Sequence, residues 1–409
     1  MKLFVGIDVS SKDLQACFMN QEGETLKTLS VANNLPGAVL LRDTMVEVTR
    51  LHRLKAIRIG MEATSVYSWH PALFFDQDET LNQWDTKVYV INPRQIKNFK
   101  KAYAEMDKTD PKDAWVIADR LRFGRLKKTL IMSEQYQALQ RLTRMRFHVT
   151  QNMTREKQVF LQHLFYKCSA FTTEVDSSVF GNTLMDFLTE AYSLDEIAQM
   201  PVEDLVDYLK TKGRNRFANP ECLASSIKKA ARSSYRLSKC VEDSINILLA
   251  TSVEAIRQLE RQLKQIDQAI TRVMDGIPNT LMTIPGIGPV TCAGILAEIG
   301  DIDRFDGQAA IAKYAGLTWG RHQSGDYEAE DRKLGKEGNR YLRYYLIEAA
   351  NQVRRHDATY NAYYSKKYRE VPKHKHKRAL VLTARKLVRL IDALLRNNQI
   401  YAPEGKVTR

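Results

Sequence analysis

The stretch LFVGIDVSSKDLQACFMNQEGETLKTLSV, residues 3–31, decides the fold because it holds three strands in succession. LFVGIDV is a short apolar run with the composition of a buried strand. LQACFMN and ETLKTLSV flank the turn residues QEGE, which predicts a β-hairpin. The chain therefore opens on a buried strand that is followed by two strands joined by a tight turn.

The rest of the first third alternates between helices and strands. PGAVLLRDTMVEVTRLH has a helical period, AIRIGME and KVYVIN have the pattern of short strands, and NPRQIKNF turns helical. A final helix is expected from about Pro111 through RLRFG. The predicted order is three strands, helix, strand, helix, strand, helix. This is the order of a ribonuclease H-like domain, an α/β fold with a mixed sheet and helices packed against it, which we assign to residues 1–128.

The middle of the chain, residues 129–275, is predicted to be a helical and coiled-coil region. Its clearest signal is a series of residues spaced by four and three, namely Ile245, Leu249, Ser252, Ile256, Leu259, Leu263, Ile266, Ile270 and Val273. This is an a/d heptad seam with one polar member. The seam is compatible with a helical hairpin inside one chain or with a coiled coil between chains, and we expect a homodimer or higher homo-oligomer.

The last third is predicted to be mostly α-helical, with a compact domain over residues 276–350 and a basic helical segment over 351–409. The compact domain begins with TIPGIGPVTCAGILAEIG. Gly286 and Gly288 permit a tight backbone turn, and Pro289 suits the first turn of a helix. Exposed amides at such a turn can hold a nucleic-acid phosphate, as in helix-hairpin-helix modules. A plain helix–helix corner is the alternative interpretation.

The net charge of +14 is concentrated at the C-terminal end. From residue 340 to 409 there are 17 Lys and Arg against 5 Asp and Glu, so a net charge of +12 lies in that segment. The same segment carries the tyrosines Tyr344, Tyr345, Tyr360, Tyr363, Tyr364 and Tyr368. Basic side chains replace the counterions of a nucleic acid, and tyrosines can stack on its bases. A nucleic-acid partner is favoured over a solubilising surface or a tail that contacts anionic lipid.

The composition argues against several other classes of protein. We find no apolar stretch long enough to span a bilayer and no secretory signal at the N-terminus, so no membrane partner is expected. The cysteines are scattered without a C-x-x-C pair, which supports neither a disulfide framework nor a zinc site; they are Cys17, Cys168, Cys222, Cys240 and Cys292. This usage fits a reducing cytoplasm.

Four acidic residues occupy related places in the predicted topology. Asp8 ends the first strand, Glu62 follows the fourth, and Asp110 and Asp113 begin the last helix. The first and fourth strands are neighbours in this fold, and the helix packs over the same edge. Four carboxylates at one spot would repel each other without a hard cation such as Mg²⁺. Individually each has a plainer explanation, since Asp110 before Pro111 is a good N-cap, but jointly they favour a metal site.

A polar stretch near the C-terminal end, RHQSGDYEAEDRKLGKEGNRYLR, contains a candidate nucleophile. Ser324 lies in it, with Lys336, Arg340 and Arg343 nearby in sequence as candidates for nucleic-acid binding. A serine needs activation and a neutralised phosphate to act as a nucleophile. Since serine before glycine is commonly a turn residue, residue types alone favour the turn.

Motifs at both ends of the chain resemble those of the IS110 family of transposases, also called DEDD recombinases. GIDVSSKD, GMEATSVY and KTDPKDA resemble its N-terminal motifs, and IPGIGPVTCAGILAEIGDIDRF, AAIAKYAGL, HQSG and KLGKEGNRYLR resemble its C-terminal ones. The resemblance implies a RuvC-like N-terminal domain and a C-terminal serine transposase domain. It places the family's carboxylate tetrad on Asp8, Glu62, Asp110 and Asp113 and its nucleophile on Ser324.

The resemblance also implies a chemistry and partners. Mg²⁺, or Mn²⁺, held by the tetrad would polarise a DNA phosphodiester while Ser324 attacks the phosphorus, so that donor and target DNA are cut and rejoined. A structured guide RNA from the same mobile element is implied, in the bacterial cytoplasm at the nucleoid. Two alternatives remain open. One is a RuvC-like hydrolytic nuclease of the junction-resolvase type, and the other is a non-catalytic nucleic-acid scaffold.

Overall fold

The computed structural model divides the chain into two compact units, Met1–Ile131 and Met132–Arg409. No helix in the part of the chain that it describes is both long and apolar enough to cross a membrane. The described residues are 1–63, 66–103, 110–126, 132–190, 192–319, 323–324, 327–328, 334–335 and 338–403. For Asp110 and for residues 323–324 and 327–328 the description covers the backbone alone.

The first unit is an α/β domain. Its strands are β1 (Lys2–Val9), β2 (Asp13–Met19), β3 (Thr25–Ala32), β4 (Ala56–Glu62) and β5 (Asp85–Ile91). Its helices are α1 (Leu35–Leu51), α2 (Trp69–Gln77), α3 (Glu79–Asn82), α4 (Pro93–Lys100) and α5 (Asp110–Phe123).

The five strands form one mixed sheet in the order β3-β2-β1-β4-β5. β2 is antiparallel to both β1 and β3, whereas β1, β4 and β5 are parallel to one another. The predicted mixed sheet and the predicted neighbourhood of the first and fourth strands are both confirmed. The arrangement is consistent with a ribonuclease H-like domain.

Alternate residues of β1 face two different helices. Ile7 belongs to a core cluster with Leu41 of α1. Phe4 belongs to another cluster, with Ala114 of α5. Because successive side chains of a strand point to opposite faces of the sheet, the even-numbered positions of β1, Asp8 among them, face α5.

Two glycines let α5 lie directly on the sheet. A Cβ on Gly6 would overlap the backbone of Ala114 and Ala118, and a Cβ on Gly60 would come within 2.7 Å of the Leu121 side chain. Gly6 and Gly60 are partners in the β1–β4 register. The helix therefore crosses the two central strands where neither has a side chain.

The direction of α5 follows from the contacts at its two ends. Lys2 and Phe4, at the start of β1, line a cavity of about 330 Å³ together with Leu121 and Leu126, at and beyond the end of α5. Gly6, further along β1, instead contacts Ala114, which is nearer the start of the helix. The helix thus runs antiparallel to β1, and its first turn lies toward the carboxyl ends of β1 and β4.

The second unit is mainly helical. Its α-helices are α6 (Glu134–Lys167), α7 (Phe171–Glu174), α8 (Asn182–Thr189), α9 (Leu194–Gln199), α10 (Val202–Gly213), α11 (Pro220–Ser233), α12 (Lys239–Met274), α13 (Pro289–Ile299), α14 (Gln308–Tyr314), α15 (Arg340–His356), α16 (Ala358–Glu370) and α17 (Lys375–Asn397). Short 3₁₀ helices span Leu281–Thr283 and Ile302–Arg304, and two short strands are β6 (Gln323–Ser324) and β7 (Tyr327–Glu328).

The long helices α6 and α12 lie side by side and antiparallel. Leu139, near the start of α6, shares a core with Ile270, near the end of α12. Leu164, near the end of α6, shares a second core with Ile245, near the start of α12. The predicted heptad seam is therefore covered at both ends by a helix of the same chain, as expected for the hairpin alternative. Association between chains stays a prediction.

Helix α13 is the centre of the C-terminal core. All of its residues from 292 to 299 are buried, and a Cβ on Gly294 would overlap the ring of Tyr345 on α15. The hydroxyl of Tyr345 donates a hydrogen bond to the backbone carbonyl of Thr143 on α6, at 2.7 Å. One buried tyrosine thus joins α6, α13 and α15.

Replacing Gly6 tests the direct contact between α5 and the sheet. We expect Gly6→Ala to lower the free energy of unfolding of the first unit by about 3 kcal/mol, because the added methyl group meets helix backbone that cannot rotate away. Chemical denaturation of the full-length chain measures the change. Gly288→Ala is the matched control, since a Cβ there meets nothing within 4 Å. A Gly6→Ala protein as stable as the control would contradict the packing described.

Candidate active site

Asp8 and Glu62 lie side by side at the carboxyl ends of β1 and β4. The parallel register pairs Gly6 with Gly60 and Ile7 with Met61, so the next position along brings Asp8 beside Glu62. Register partners in a parallel pair point to the same face, and for these two it is the face that α5 covers. Both residues are partly buried.

Asp113, on the first turn of α5, belongs to the same electrostatic neighbourhood. The pKa of Glu62 is raised above its ordinary value, first by burial and then by the negative charges of Asp8 and Asp113. Three carboxylates from three different elements therefore act on one another. Asp110 is the first residue of α5 and lies three positions before Asp113, so the two share one side of the helix.

One basic residue that the sequence analysis did not single out belongs to this neighbourhood. Lys100, at the end of α4, donates a hydrogen bond to Asp113 at 2.5 Å, and each of the two side chains is 23% exposed. Its charge offsets part of the negative charge of the cluster. The sequence signal was weak, because NPRQIKNFK offers three basic residues and nothing in their spacing favours one of them.

The turn that follows Asp8 is held by its own hydrogen bonds. The hydroxyl of Ser10 accepts from the backbone amides of Lys12 and Asp13, at 3.1 and 2.8 Å. The side-chain amide of Asn33 donates to the Ser10 carbonyl at 2.8 Å. This end of β1 is therefore fixed independently of any ligand.

The donor chemistry of the cluster fits Mg²⁺. All the acidic groups offer carboxylate oxygens, the ligands that Mg²⁺ prefers, and a divalent cation would relieve the repulsion that Glu62 experiences. Among the described side chains no group of three acidic, His or Cys residues encloses a ready-made metal cage. Mg²⁺ at phosphoryl-transfer sites commonly uses one or two carboxylates together with water and phosphate oxygens, so a closed cage is not required.

Ser324 lies in a pair of short strands in the second unit. It pairs with Tyr327 across β6 and β7, and Trp319 forms an isolated bridge with Leu334. The amide of Gly335 donates to the Thr318 carbonyl at 2.7 Å. These contacts hold the two ends of the segment together. The side chain of Ser324 lies outside the described part of the chain.

The three basic residues that were predicted to contact nucleic acid differ in their exposure and hydrogen bonding. Lys336 lies outside the described residues. Arg340, the first residue of α15, is exposed, and its guanidinium lies over the Tyr341 ring at 4.8 Å. Arg343 instead donates to the Ala315 carbonyl at 2.9 Å, and burial lowers its pKa. Arg340 is thus exposed, with one donor on the neighbouring Tyr341 hydroxyl at 2.8 Å, whereas one donor of the more buried Arg343 is committed to the backbone of another helix end.

The predicted glycine turn precedes α13, which begins at Pro289 as expected. Gly286 has φ +93°, and a Cβ there would lie 2.9 Å from the backbone of Gln352, so its lack of a side chain is used in packing against α15. Gly288 is the exposed N-cap residue. Of these two glycines, Gly288 is the one whose backbone is exposed to a ligand. The helix-hairpin-helix assignment stays a prediction.

The aromatic part of the nucleic-acid prediction needs correction at two positions. Tyr345 and Tyr360 are 2% and 5% exposed and belong to the hydrophobic core, so neither ring can stack on a base. They are buried because α15 and α16 turn these faces toward the body of the unit. Tyr363 lies 4.8 Å from the Lys386 ammonium, and Tyr364 lies 4.3 Å from the Arg354 guanidinium.

Two family models match the chain. A DEDD transposase model of the IS110 type, described as a transposase, matches residues 5–166, and the transposase IS116/IS110/IS902 family model matches residues 279–365. Together they span more than half of the chain. The first match includes the four candidate carboxylates and the second includes Ser324.

Individual relatives extend the similarity to almost the whole chain. An uncharacterized 44.8 kDa protein of insertion element IS116 from Streptomyces clavuligerus is 27% identical over 422 residues, covering 100% of this chain and 98% of that protein. A pilin gene-inverting protein from Moraxella lacunata is 23% identical and covers 98% of both chains. A mini-circle putative transposase for IS117 from Streptomyces coelicolor is 26% identical over 77% of this chain and 76% of that protein.

The two family matches fall in the same order along the chain as the two candidate sites. The acidic cluster lies in the first match and the strand pair with Ser324 in the second. The chain therefore belongs to the IS110 family of transposases, and it is an enzyme that acts on DNA.

Proposed function

We propose that this enzyme cuts and rejoins the DNA of a mobile element through a covalent serine intermediate. Ser324 is the nucleophile, and Asp8, Glu62, Asp110 and Asp113 hold Mg²⁺ at the scissile phosphate. The observation that carries the proposal is the convergence of acidic side chains at Glu62, which lies beside Asp8 and whose pKa is raised first by burial and then by the charges of Asp8 and Asp113. Clustered carboxylates lower the stability of the fold, and such clusters are typical of functional sites, here one that would bind Mg²⁺ and a phosphate.

The proposed step is a transesterification. The Ser324 hydroxyl loses its proton and attacks the phosphorus, the Oγ–P bond forms, and the P–O bond to one DNA strand breaks. The departing DNA oxygen takes up a proton and leaves as a hydroxyl. Bound Mg²⁺ would supply Lewis-acid stabilisation of the charge on the phosphate. Because the phosphoserine ester conserves the energy of the broken bond, the reverse attack by another DNA hydroxyl rejoins strands without ATP.

The relatives agree with a reaction that both cuts and rejoins. One is named as a putative transposase and another as a gene-inverting protein. Inversion of a DNA segment requires that every broken strand is rejoined. A hydrolytic nuclease would release the phosphate to water and leave rejoining to other proteins, so the relatives favour the serine intermediate over hydrolysis.

The proposal includes two kinds of partner. The exposed basic side chains of α15 to α17 are suited to the phosphates of DNA and of a structured guide RNA encoded by the same element. A second copy of the chain, joined through the α6–α12 helices, would supply the paired active sites that an exchange of strands requires.

Replacement of Ser324 tests the covalent step. Wild-type protein with Mg²⁺, labelled element-end DNA and RNA from the same element is expected to give a protein–DNA adduct that survives denaturing electrophoresis. Ser324→Ala should abolish the adduct, and Asp8→Asn should slow its formation by about 10³-fold or more, because each removes a group used in the transition state. Ser365→Ala, which removes a partly buried hydroxyl from α16, is the matched control. Cleavage by Ser324→Ala at the wild-type rate would establish hydrolysis instead.

The raised pKa of Glu62 predicts a pH-dependent stability. The folded protein holds this proton more tightly than the unfolded chain, so stability falls as the pH rises from the ordinary value of 4.5 through the raised folded value. Without metal, Glu62→Gln should therefore raise the Tm at pH 7 by about 1–4 °C, and the gain should disappear below the ordinary pKa.

The control for this measurement is Glu47→Gln, which removes a carboxylate from an exposed ion pair with Lys27. It should not raise the Tm at pH 7. If Glu62→Gln gives no higher Tm than Glu47→Gln at pH 7 in the absence of metal, the pKa of Glu62 is not raised by burial and by the charges of Asp8 and Asp113 as described.

Arg340 and Arg343 are expected to respond differently to the same substitution. Arg340→Gln should lower DNA affinity and reduce the slope of log K against log salt by about 0.9, as for one lost phosphate contact, with little change in Tm. Arg343→Gln should lower the Tm, since its bond to the Ala315 carbonyl holds α15 to the end of α14. Fluorescence anisotropy over a salt series and thermal melts measure both. Equal effects of the two changes on the salt slope would contradict this division.

A further inference from the structure

The second unit buries one carboxylate completely. The side chain of Glu298, near the end of α13, is 0% exposed. Arg144 of α6 donates to both of its oxygens, at 2.7 and 2.9 Å, and the side-chain amide of Asn339 donates to Oε2 at 2.6 Å. A buried charge is tolerated only when it is paired and hydrogen-bonded in this way, so each partner of Glu298 is held in place.

Asn339, which is held by the buried Glu298 carboxylate, lies at the C-terminal end of the segment that carries Ser324. It is the N-cap of α15, and its Oδ1 accepts from the amides of Tyr341 and Leu342 at 2.9 and 3.0 Å. Its Nδ2 also donates to the Tyr314 hydroxyl at 3.1 Å, and its backbone amide donates to the Tyr314 carbonyl at 2.6 Å. Both ends of the Asn339 side chain are thus used, one on the helix and one on the buried carboxylate.

Asn339 joins two parts of the chain that lie on either side of Ser324 in the sequence. It contacts Tyr314, the last residue of α14, and it is itself the N-cap residue of α15. Gly338 has φ +134°, and a Cβ on it would overlap the Tyr314 carbonyl, so the backbones of these two parts approach closely. Together with the pairing between residues 318–319 and 334–335, Asn339 therefore links the two sides of the stretch that carries the β6–β7 pair.

We propose that Asn339, oriented by Glu298, is a positioning residue for the strand pair that carries Ser324. Asn339 does not contact the reacting atoms. It fixes the end of α14 relative to the start of α15, the two helices between which the strand pair lies in the chain, and so it limits where Ser324 is held. This inference rests on the proposed function, in which Ser324 is the nucleophile.

The physical reason is the sensitivity of nucleophilic attack to distance. A displacement of about 1 Å can cost about 10²-fold in rate, and a strand pair of two residues has too few hydrogen bonds of its own to hold a side chain that closely. The position of Ser324 must then be fixed by the helix ends that flank the strand pair in the chain. The buried carboxylate of Glu298 provides this constraint, since its Oε2 would lose its shortest hydrogen bond if Asn339 turned away, while Arg144 stayed paired with it.

The first variant separates positioning from folding. Asn339→Ser keeps an N-cap oxygen for α15 but removes the donor to Glu298. We expect it to lower the rate of adduct formation at saturating DNA about 10- to 100-fold, with the Kd for DNA changed less than about threefold. Asp267→Asn is the matched control, because Arg146 and Asp267 form a similar bidentate pair between α6 and α12, at 2.5 and 3.2 Å, away from this segment. It should lower the Tm and leave the saturated rate unchanged.

The second variant is a rescue. Asn339→Asp places two carboxylates at hydrogen-bond distance, and we expect it to be at least as slow as Asn339→Ser. The double change Asn339→Asp with Glu298→Gln restores a donor and an acceptor between the two residues in exchanged positions, while Arg144 keeps a single acceptor oxygen on residue 298. It should therefore be faster than Asn339→Asp and slower than wild type. A general loss of stability would not be repaired by this exchange.

Two results overturn the inference. One is an Asn339→Ser protein whose saturated rate is no lower than that of Asp267→Asn, and the other is a double variant no faster than Asn339→Asp. Wild-type and Ser324→Ala proteins are compared first, so absence of a Ser324-dependent adduct is recognised as failure of the proposed function. In that case hydrogen exchange decides the positioning inference alone. Faster exchange of the Ser324 and Gly335 amides in Asn339→Ser than in Asp267→Asn supports it, and equal exchange refutes it.

Discussion

The seating of α5 on the bare backbone of β1 and β4 is the contact on which the first unit depends. Gly6 and Gly60 are register partners, and the helix crosses the sheet where neither strand presents a side chain. Because α5 lies so close to the sheet, its first turn, which carries Asp113, comes near the strand ends that carry Asp8 and Glu62. Packing thus holds together carboxylates that repel each other, and the pKa of Glu62 is raised first by burial and then by the charges of Asp8 and Asp113.

The second unit also buries a carboxylate, but there the charge is neutralised by hydrogen-bonded partners. Its buried carboxylate is fully paired, and the pairing links α6, α13 and the start of α15. The first unit keeps several carboxylates close together, with Lys100 paired to Asp113, while the second uses its carboxylate for rigidity. This contrast matches the proposed roles of the two units, since a metal site needs available oxygens and a nucleophile needs a fixed support.

The sequence predicted those features that rest on local pattern. The strands of the first unit, the long helix α12 and the helix start at Pro289 follow from hydrophobic period and turn residues, and all three are found. The two-residue strands around Ser324 have no period to detect. The pairings of Lys100 with Asp113 and of Glu298 with Asn339 join residues that only tertiary packing brings together, so spacing could not reveal them. The stacking role assigned to Tyr345 and Tyr360 was wrong because composition alone does not tell which face of a helix is buried.

We propose that acidic side chains from separate elements of the first unit bind a divalent cation together. An anomalous difference map from crystals of the full-length protein soaked in Mn²⁺ tests this directly. We expect a peak within about 2.3 Å of carboxylate oxygens of Glu62 and of at least one of Asp8 and Asp113. A well-ordered map in which Mn²⁺ occupies other sites, while these carboxylates stay without metal at saturating concentration, would contradict it.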